Sequence, residues 1–225
     1  MIMTNKIFYI LLLLLLHFSL SAQFIDENLG QKEIRTKRMV LKTNPSLWFL
    51  APIPSTGEYR IAMETAIGLK NSVQISAAFV TKSLLTLLIE ALQPDSVKGQ
   101  TYTIKGYRFQ FAYKFYPFGK YKNAPEGFFL GPHISYSKAY FHINQTSPKY
   151  SDYSATYANI ALIWGYQFIV NDKIAIELFQ GLGYRDNRLR DEYSGEEEKL
   201  NYNPDYTPIP GDLKIYLGAN IGLNL

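Results

Sequence analysis

The chain has no cysteine. A disulfide framework and a thiolate metal site are both excluded, so an exported chain of this kind must hold its shape by another device. Histidine is scarce too: His17, His133 and His142 are all there are. With scattered acids around them they make no metal-ligand spacing. Charge of one sign is also lacking. The formal net charge of +4 is too small to argue for nucleic acid. No Gly-rich stretch sits between a strand and a helix, so no phosphate-cradling loop is expected, and no cofactor is implied.

Long apolar runs are missing after the first residues. "IFYILLLLLLHF" (7–18) is unbroken, follows a weakly basic start and leads into "SLSAQ" (19–23), with a cleavage point after Ala22. That is the layout of a signal peptide over residues 1–22, its apolar core shorter than the ~20 residues of a spanning helix. No cysteine follows the run, which excludes a lipoprotein anchor. "QFIDENLGQKEIRTKR" (23–38) is polar and aperiodic and reads as a periplasmic tether. Nothing later reaches ~18 consecutive apolar residues, so no spanning helix is expected.

What is abundant is aromatic: 18 Tyr and 14 Phe, the richness that the girdles of a membrane barrel require. In "KGYRFQFAYKFY" (105–116), Tyr107, Phe109, Phe111, Tyr113 and Phe115 alternate with Arg108, Gln110, Ala112 and Lys114. Successive side chains of a strand point to opposite faces, so one face is greasy and the other polar. The same split recurs in 39–50, 58–69, 72–81, 127–140, 156–169, 173–184 and 213–225. These segments suit a tilted crossing of ~9–11 residues better than a globular strand of about 5–6. Connections alternate in length, with the longer ones at odd positions, as when short turns lie on the periplasmic side and long loops outside. The bulky face is apolar and too wide to fit inside eight strands, while the other face carries Gly, Ala, Ser, Asn, Gln and a few charges. The rings therefore point to lipid. Residues 39–225 are expected to form an all-β, eight-stranded antiparallel up-and-down transmembrane β-barrel in the outer membrane. Glycines on the polar face leave room for lumen partners such as Trp48 and Phe179.

The signal peptide, the dyad pattern, the loop asymmetry and a final strand running to Leu225 resemble the small eight-stranded outer-membrane proteins of Gram-negative bacteria, of the OmpA-barrel, OmpX and OmpW type. "VLKTNP" (40–45) and "GEYRIAMETAIG" (57–68) look like the start of an uncharacterised exported-barrel family. Such barrels usually finish on an aromatic residue, where this chain has Leu225 in a lipid-facing position. The resemblance implies a monomer set in outer-membrane lipid and lipopolysaccharide and inserted by the barrel assembly machinery. It implies a structural or surface-interaction role, with external loops carrying any binding. A lipid-modifying enzyme and a small hydrophobic-solute channel are the alternatives.

Three features carry chemistry. His133 and Ser135 share a strand face and resemble the His-x-Ser pair of lipid A deacylases, which needs a carboxylate to orient the base. Here Tyr136 follows, no Asp or Glu occurs from 127 to 151, and the pair faces the lumen. A hydrogen-bonded interior histidine is expected. The alternation also places Lys42, Arg60, Arg108, Lys114 and Lys214 inside against Glu64 and Glu177. Buried charges must be paired, so a closed lumen is expected, the alternative being a narrow anion path. Finally "KSLLTLLIEALQPD" (82–95) breaks the β pattern. Leu84, Leu85, Leu88 and Leu92 recur at helical spacing, Ser83 is a good N-cap and Pro94 stops the run. So many leucines cannot simply face water, so this helix either folds over the barrel mouth or lies in the outer leaflet with its leucines among acyl chains. A cap that seals the lumen is expected, the alternative being a lid or lateral gate for an apolar ligand. In the loop at 185–211, Arg185, Arg188 and Arg190 precede Asp191, Glu192 and Glu196 to Glu198 and read as a solvated loop, the alternative being divalent-cation bridging to lipopolysaccharide.

Overall fold

Alternating sequence becomes paired strand nearly throughout. The structure is a computed structural model and describes residues 39–49, 51, 56–92, 102–118, 124–143, 152–199 and 212–225. The expected signal peptide and tether lie outside these residues. The elements run β1 (Met39–Thr43), α1 (Ser46–Phe49), β2 (Thr56–Ala66), β3 (Asn71–Lys82), α2 (Leu84–Leu92), β4 (Tyr102–Phe115), β5 (Gly127–Ile143), β6 (Asp152–Val170), β7 (Ile174–Asp191), β8 (Glu197–Lys199) and β9 (Leu213–Asn224).

Eight strands close a ring in the order β6-β5-β4-β3-β2-β1-β9-β7, with β6 paired to β7. Every pairing is antiparallel, and β8 is a three-residue ledge on the outer end of β7. The fold is a closed, eight-stranded, all-antiparallel up-and-down barrel. Its stagger can be read from the register. Paired residues lead from Asn224 through Val40, Glu64, Gln74, Ala112, His133, Ala161 and Gly183 to Lys214, ten residues away on the starting strand. Such a shear tilts the strands and sets a bore that side chains just fill.

The faces sort as the alternation requires. Ile61, Ile75, Phe109, Ile134, Leu162, Leu182, Leu217 and Leu223 are exposed on the outside of seven different strands, Ile61 at 65 % and Leu217 at 67 %. Their neighbours Ala62, Ser76, Ala112, Ser135 and Ala161 are buried inside. An apolar belt around a whole barrel far exceeds the patch a soluble monomer exposes. One end has the tight connections: residues 67–70, and 171–173, where Asn171 and Asp172 take φ of 51° and 58°. Left-handed pairs of this kind match the twist of a hairpin. Both chain ends of the barrel meet there, with Leu225 N–H bonded to the Met39 carbonyl at 2.8 Å.

Three expectations need correction. The first strand stops at Thr43 rather than at 50, because Pro45 cannot donate to the ladder and the chain turns into the single-turn helix α1. Trp48 therefore leaves the lumen and stacks on outward-facing Tyr59, with ring centroids 6.0 Å apart. Phe179 does occupy the expected inward position, with its ring where a Gly218 side chain would otherwise be. Second, β5, β6 and β7 extend to Ile143, Asp152 and Asp191, through stretches expected to be loop. Their outer ends carry Lys138, Arg188 and Arg190 on the outward face, so the apolar–polar contrast that signals a strand disappears while the backbone pairing continues.

Third, α2 is a helix but not a cap. Ser83 Oγ accepts the Thr86 N–H at 2.9 Å, and Lys82 pairs with Glu90 at 2.7 Å. None of the nine helical residues is buried, and Leu85, Leu87, Leu88, Ile89 and Leu92 are exposed. A helix sealing a lumen would bury one stripe, whereas this one touches α1. An apolar helix beside a barrel is stable with its leucines among acyl chains. A spin label at Leu88→Cys, in bilayers, is expected to be relaxed by oxygen and shielded from a polar nickel reagent. Free access for the nickel reagent would mean that α2 faces water.

Candidate functional site

The inward positions of the strands converge on a polar lumen with two charged layers. At the tight-turn end, β1 contributes Lys42, β2 Glu64, β4 Lys114 and β7 Glu177, all fully or almost fully buried. Lys42 Nζ lies within hydrogen-bond reach of both carboxylates and of the Gln167 and Gln74 side-chain oxygens, four acceptors shared among its three N–H groups. Lys114 Nζ donates to Glu64 Oε2 at 3.0 Å, Glu177 Oε2 at 2.9 Å and Gln74 Oε1 at 2.8 Å. The other oxygens are used as well. Glu64 Oε1 accepts from Ser72 and from the Tyr116 hydroxyl at 2.6 Å, and Glu177 Oε1 accepts from Asn220 at 3.2 Å. Two ammonium groups and two carboxylates thus balance in charge. Burying such ions is tolerable only because each is paired and its remaining donors or lone pairs are bonded. The Phe129 ring packs against Lys114, 4.4 Å from Nζ to the centroid.

The layer above it is unbalanced. Arg108 pairs with Glu58 and donates to Ser137 Oγ at 3.2 Å. Arg60 donates to Gln110 Oε1 at 2.7 Å and to Asn220 Oδ1 at 2.8 Å. The Asn220 bond spans from β2 to β9 just beyond the point where β1 ends. Lys214 is half-buried, its Nζ 5.0 Å from the Tyr216 ring centroid. His133 meets the same ring edge-on at 5.1 Å. Farther out the lumen is apolar again, with Val80, Ile104, Ala139, Ala155 and Tyr157 clustered together.

Every one of the seven expected lumen charges faces inward, in two layers that Asn220 joins by accepting from Arg60 and donating to Glu177. Lys42, Glu64, Lys114 and Glu177 come together, Arg60 and Arg108 form the second layer, and Lys214 stands at its edge. Among the described residues, Glu58 and Arg185 are inward charges that the sequence reading did not place in the lumen. Glu58 is a third lumen acid, so Glu64 and Glu177 are not the only ones. It lies two residues before Arg60, and the same alternation points it inside. Arg185 continues the inward series of Glu177, Phe179, Gly181 and Gly183, although it reads as the first residue of a loop. His133 and Ser135 both face the lumen, where Asn159 Nδ2 donates to Ser135 Oγ at 3.0 Å. His133 is interior as expected, but its Nδ1 has no hydrogen-bond partner among the described residues.

Above the belt, the outer faces of β5 to β8 carry mixed charge. Lys138, Thr156, Arg188 and Lys199 stand in one row. Arg188 bridges Asp186 at 2.8 Å and Glu197 at 2.9 Å. The Asp212 carboxylate hydrogen-bonded to Lys199 holds that ammonium above its ordinary pKa. Between these residues lies a shallow recess of about 370 Å³, lined by Tyr136, Lys138, Thr156, Arg190 and others.

The chain matches the model of the family described as protein of unknown function DUF3575 over residues 8–207. No curated protein matches it. A solved structure that it resembles is a major outer membrane protein from Thermus thermophilus, at 11 % identity and a TM-score of 0.39, with 84 % of this chain and 99 % of that chain covered.

Proposed function

We propose that this chain, which belongs to the DUF3575 family of proteins of unknown function, is an outer-membrane barrel with a structural or surface-interaction role and is not an enzyme. One observation carries the reading: an apolar outer belt, present on every strand of the ring, surrounds a lumen closed by ion pairs. An apolar wall all round suits lipid as its solvent. Ion pairs across a bore of eight strands leave no room for traffic. What remains available for binding is the outer end, with its charged strand extensions and long connections, next to outer-membrane lipid and lipopolysaccharide. The protein works as a monomer once the barrel assembly machinery has inserted it. The inward aim of His133 and Ser135 supports the non-enzymatic reading, because a deacylase nucleophile must reach lipid.

A second reading is favoured by the early end of β1. From Glu58 to Ile61, β2 has no strand partner on that side among the described residues, and α1 with apolar α2 lies near this place. A small hydrophobic solute could use such a break in the wall.

The location is tested by labelling. In outer-membrane vesicles, Phe109→Cys, Leu162→Cys and Ile215→Cys are expected to react with a lipid-soluble thiol probe and to be shielded from an aqueous one. Gln110→Cys, Ala161→Cys and Lys214→Cys should lack the lipid-probe signal. The reverse pattern would remove the protein from the membrane. Conductance steps for the wild-type protein in planar bilayers would overturn the closed lumen and favour the channel.

A further inference from the structure

Among the described residues, the second charged layer of the lumen has more positive charge than its own acids balance. Arg60, Arg108 and Lys214 stand there against Glu58, whereas the layer below is neutral by itself. Arginine cannot shed its proton inside a protein. Arg60 is nine-tenths buried, yet its hydrogen-bond partners are the neutral amides of Gln110 and Asn220, with no carboxylate bonded to it among the described residues. In strand register Arg60 and Arg108 both flank Ala78, whose side chain is a single methyl group.

The donors agree with the charge. Among the described residues Arg60 Nε, Arg108 Nε and His133 Nδ1 are buried without a hydrogen-bond partner, and Glu58 Oε1 is the one unpartnered carboxylate oxygen beside them. His133 lies within the field of Arg60, Arg108 and Lys214 together. Buried donors and buried charge without partners are both expensive, and here they share one layer. That layer is enclosed between the ion-paired network beneath it and the Val80–Ile104–Tyr157 cluster outside it.

We infer that this layer is a binding site for a small inorganic monoanion of the size of chloride, held by Arg60 and Arg108 with His133 and Lys214 beside them. A monoanion would accept the two unused guanidinium N–H groups and remove part of the excess charge. A large or multiply charged anion is disfavoured by a bore that eight strands leave nearly filled. The site is one of residence rather than transit, because the Lys42–Glu64–Lys114–Glu177 network lies between it and the periplasmic end. The inference needs only the barrel and its register. It holds whichever partner the outer end takes.

Bromide is the probe. Crystals of the full chain grown in sodium bromide are expected to show an anomalous difference peak within hydrogen-bond reach of Arg60 and Arg108. Scattering there without an anomalous signal would mean water and would overturn the site. In detergent-folded protein, the heat-modified gel shift is expected roughly 5 °C higher in chloride or bromide than in gluconate at equal ionic strength. Arg60→Gln should abolish that difference. If Arg60→Gln does not fold, Lys214→Met at the edge of the layer should reduce it. An equal anion dependence in wild type and in either variant would show a general salt effect and would also overturn the site.

Discussion

Glu64→Gln is expected to lower the temperature of the heat-modified gel shift by more than any single charge change on the outer strand extensions. Glu64 is fully buried, and both of its oxygens are committed: Oε2 to Lys42 and Lys114, Oε1 to Ser72 and Tyr116. Neutralising it leaves two buried ammonium groups with Glu177 alone. Breaking a buried pair from one side typically costs about 3–5 kcal/mol, because the remaining charge has no solvent. Glu177→Gln should come next, since its second oxygen is held by one amide. Arg188→Gln on the outer extension should hardly move the transition, because water screens that pair already. The double change Glu64→Gln with Lys114→Met separates charge from shape. It restores neutrality and should recover much of the loss. An unchanged transition for Glu64→Gln would show that the carboxylate is hydrated and that the lumen is open to water at that level.

How much of this was legible beforehand depends on where lipid meets the strand. Within the belt, most outward residues are bulky and apolar and most inward ones are small or polar, so "YRFQFAYKF" gives strand and facing at once. The inward aim of Lys42, Arg60, Glu64, Arg108, Lys114, Glu177 and Lys214 followed from position alone. Above the belt the outward side chains are Lys138, Arg188 and Arg190, the contrast vanishes, and paired backbone reads as loop. The short β1 was hidden for the opposite reason. "PSLWFL" continues the apolar alternation, but the missing N–H of Pro45 outweighs it. Which charges bond to which was not legible at all. Lys114 and Lys42 come from strands far apart in sequence and meet the same two carboxylates only because of the shear of the ring. The helical period of 84–92 was plain, but whether it caps or lies outside depends on its neighbours, and the sequence does not name them.

Gly131→Val is expected to abolish the folded, heat-modifiable band altogether, and Gly131→Ala to reduce its yield. A Cβ at Gly131 would come 1.9 Å from the Tyr113 carbonyl oxygen and 2.9 Å from its carbonyl carbon. Both are backbone atoms of the neighbouring strand and cannot rotate away as a side chain would. The next residue is Pro132, which has no N–H to give, and the β4–β5 pairing skips Tyr113 and Lys114 here while keeping its register from Ala112↔His133 to Phe115↔Leu130. On its other side Gly131 is paired with Ile163 of β6, so β5 has little freedom to withdraw. A forced shift of β4 would also carry Lys114 with it, and Lys114 joins both carboxylates of the lower network. Strain at one glycine therefore reaches the ion pairs that close the lumen. Gly68→Ala is the control: its Cβ would meet only the Asn71 side-chain nitrogen, at 3.7 Å, and both yield and transition should stay at wild type. Yield and transition temperature of refolded protein measure all three. A Gly131→Val barrel with wild-type yield would mean that β4 and β5 are not packed this closely, and the register between them would have to be redrawn.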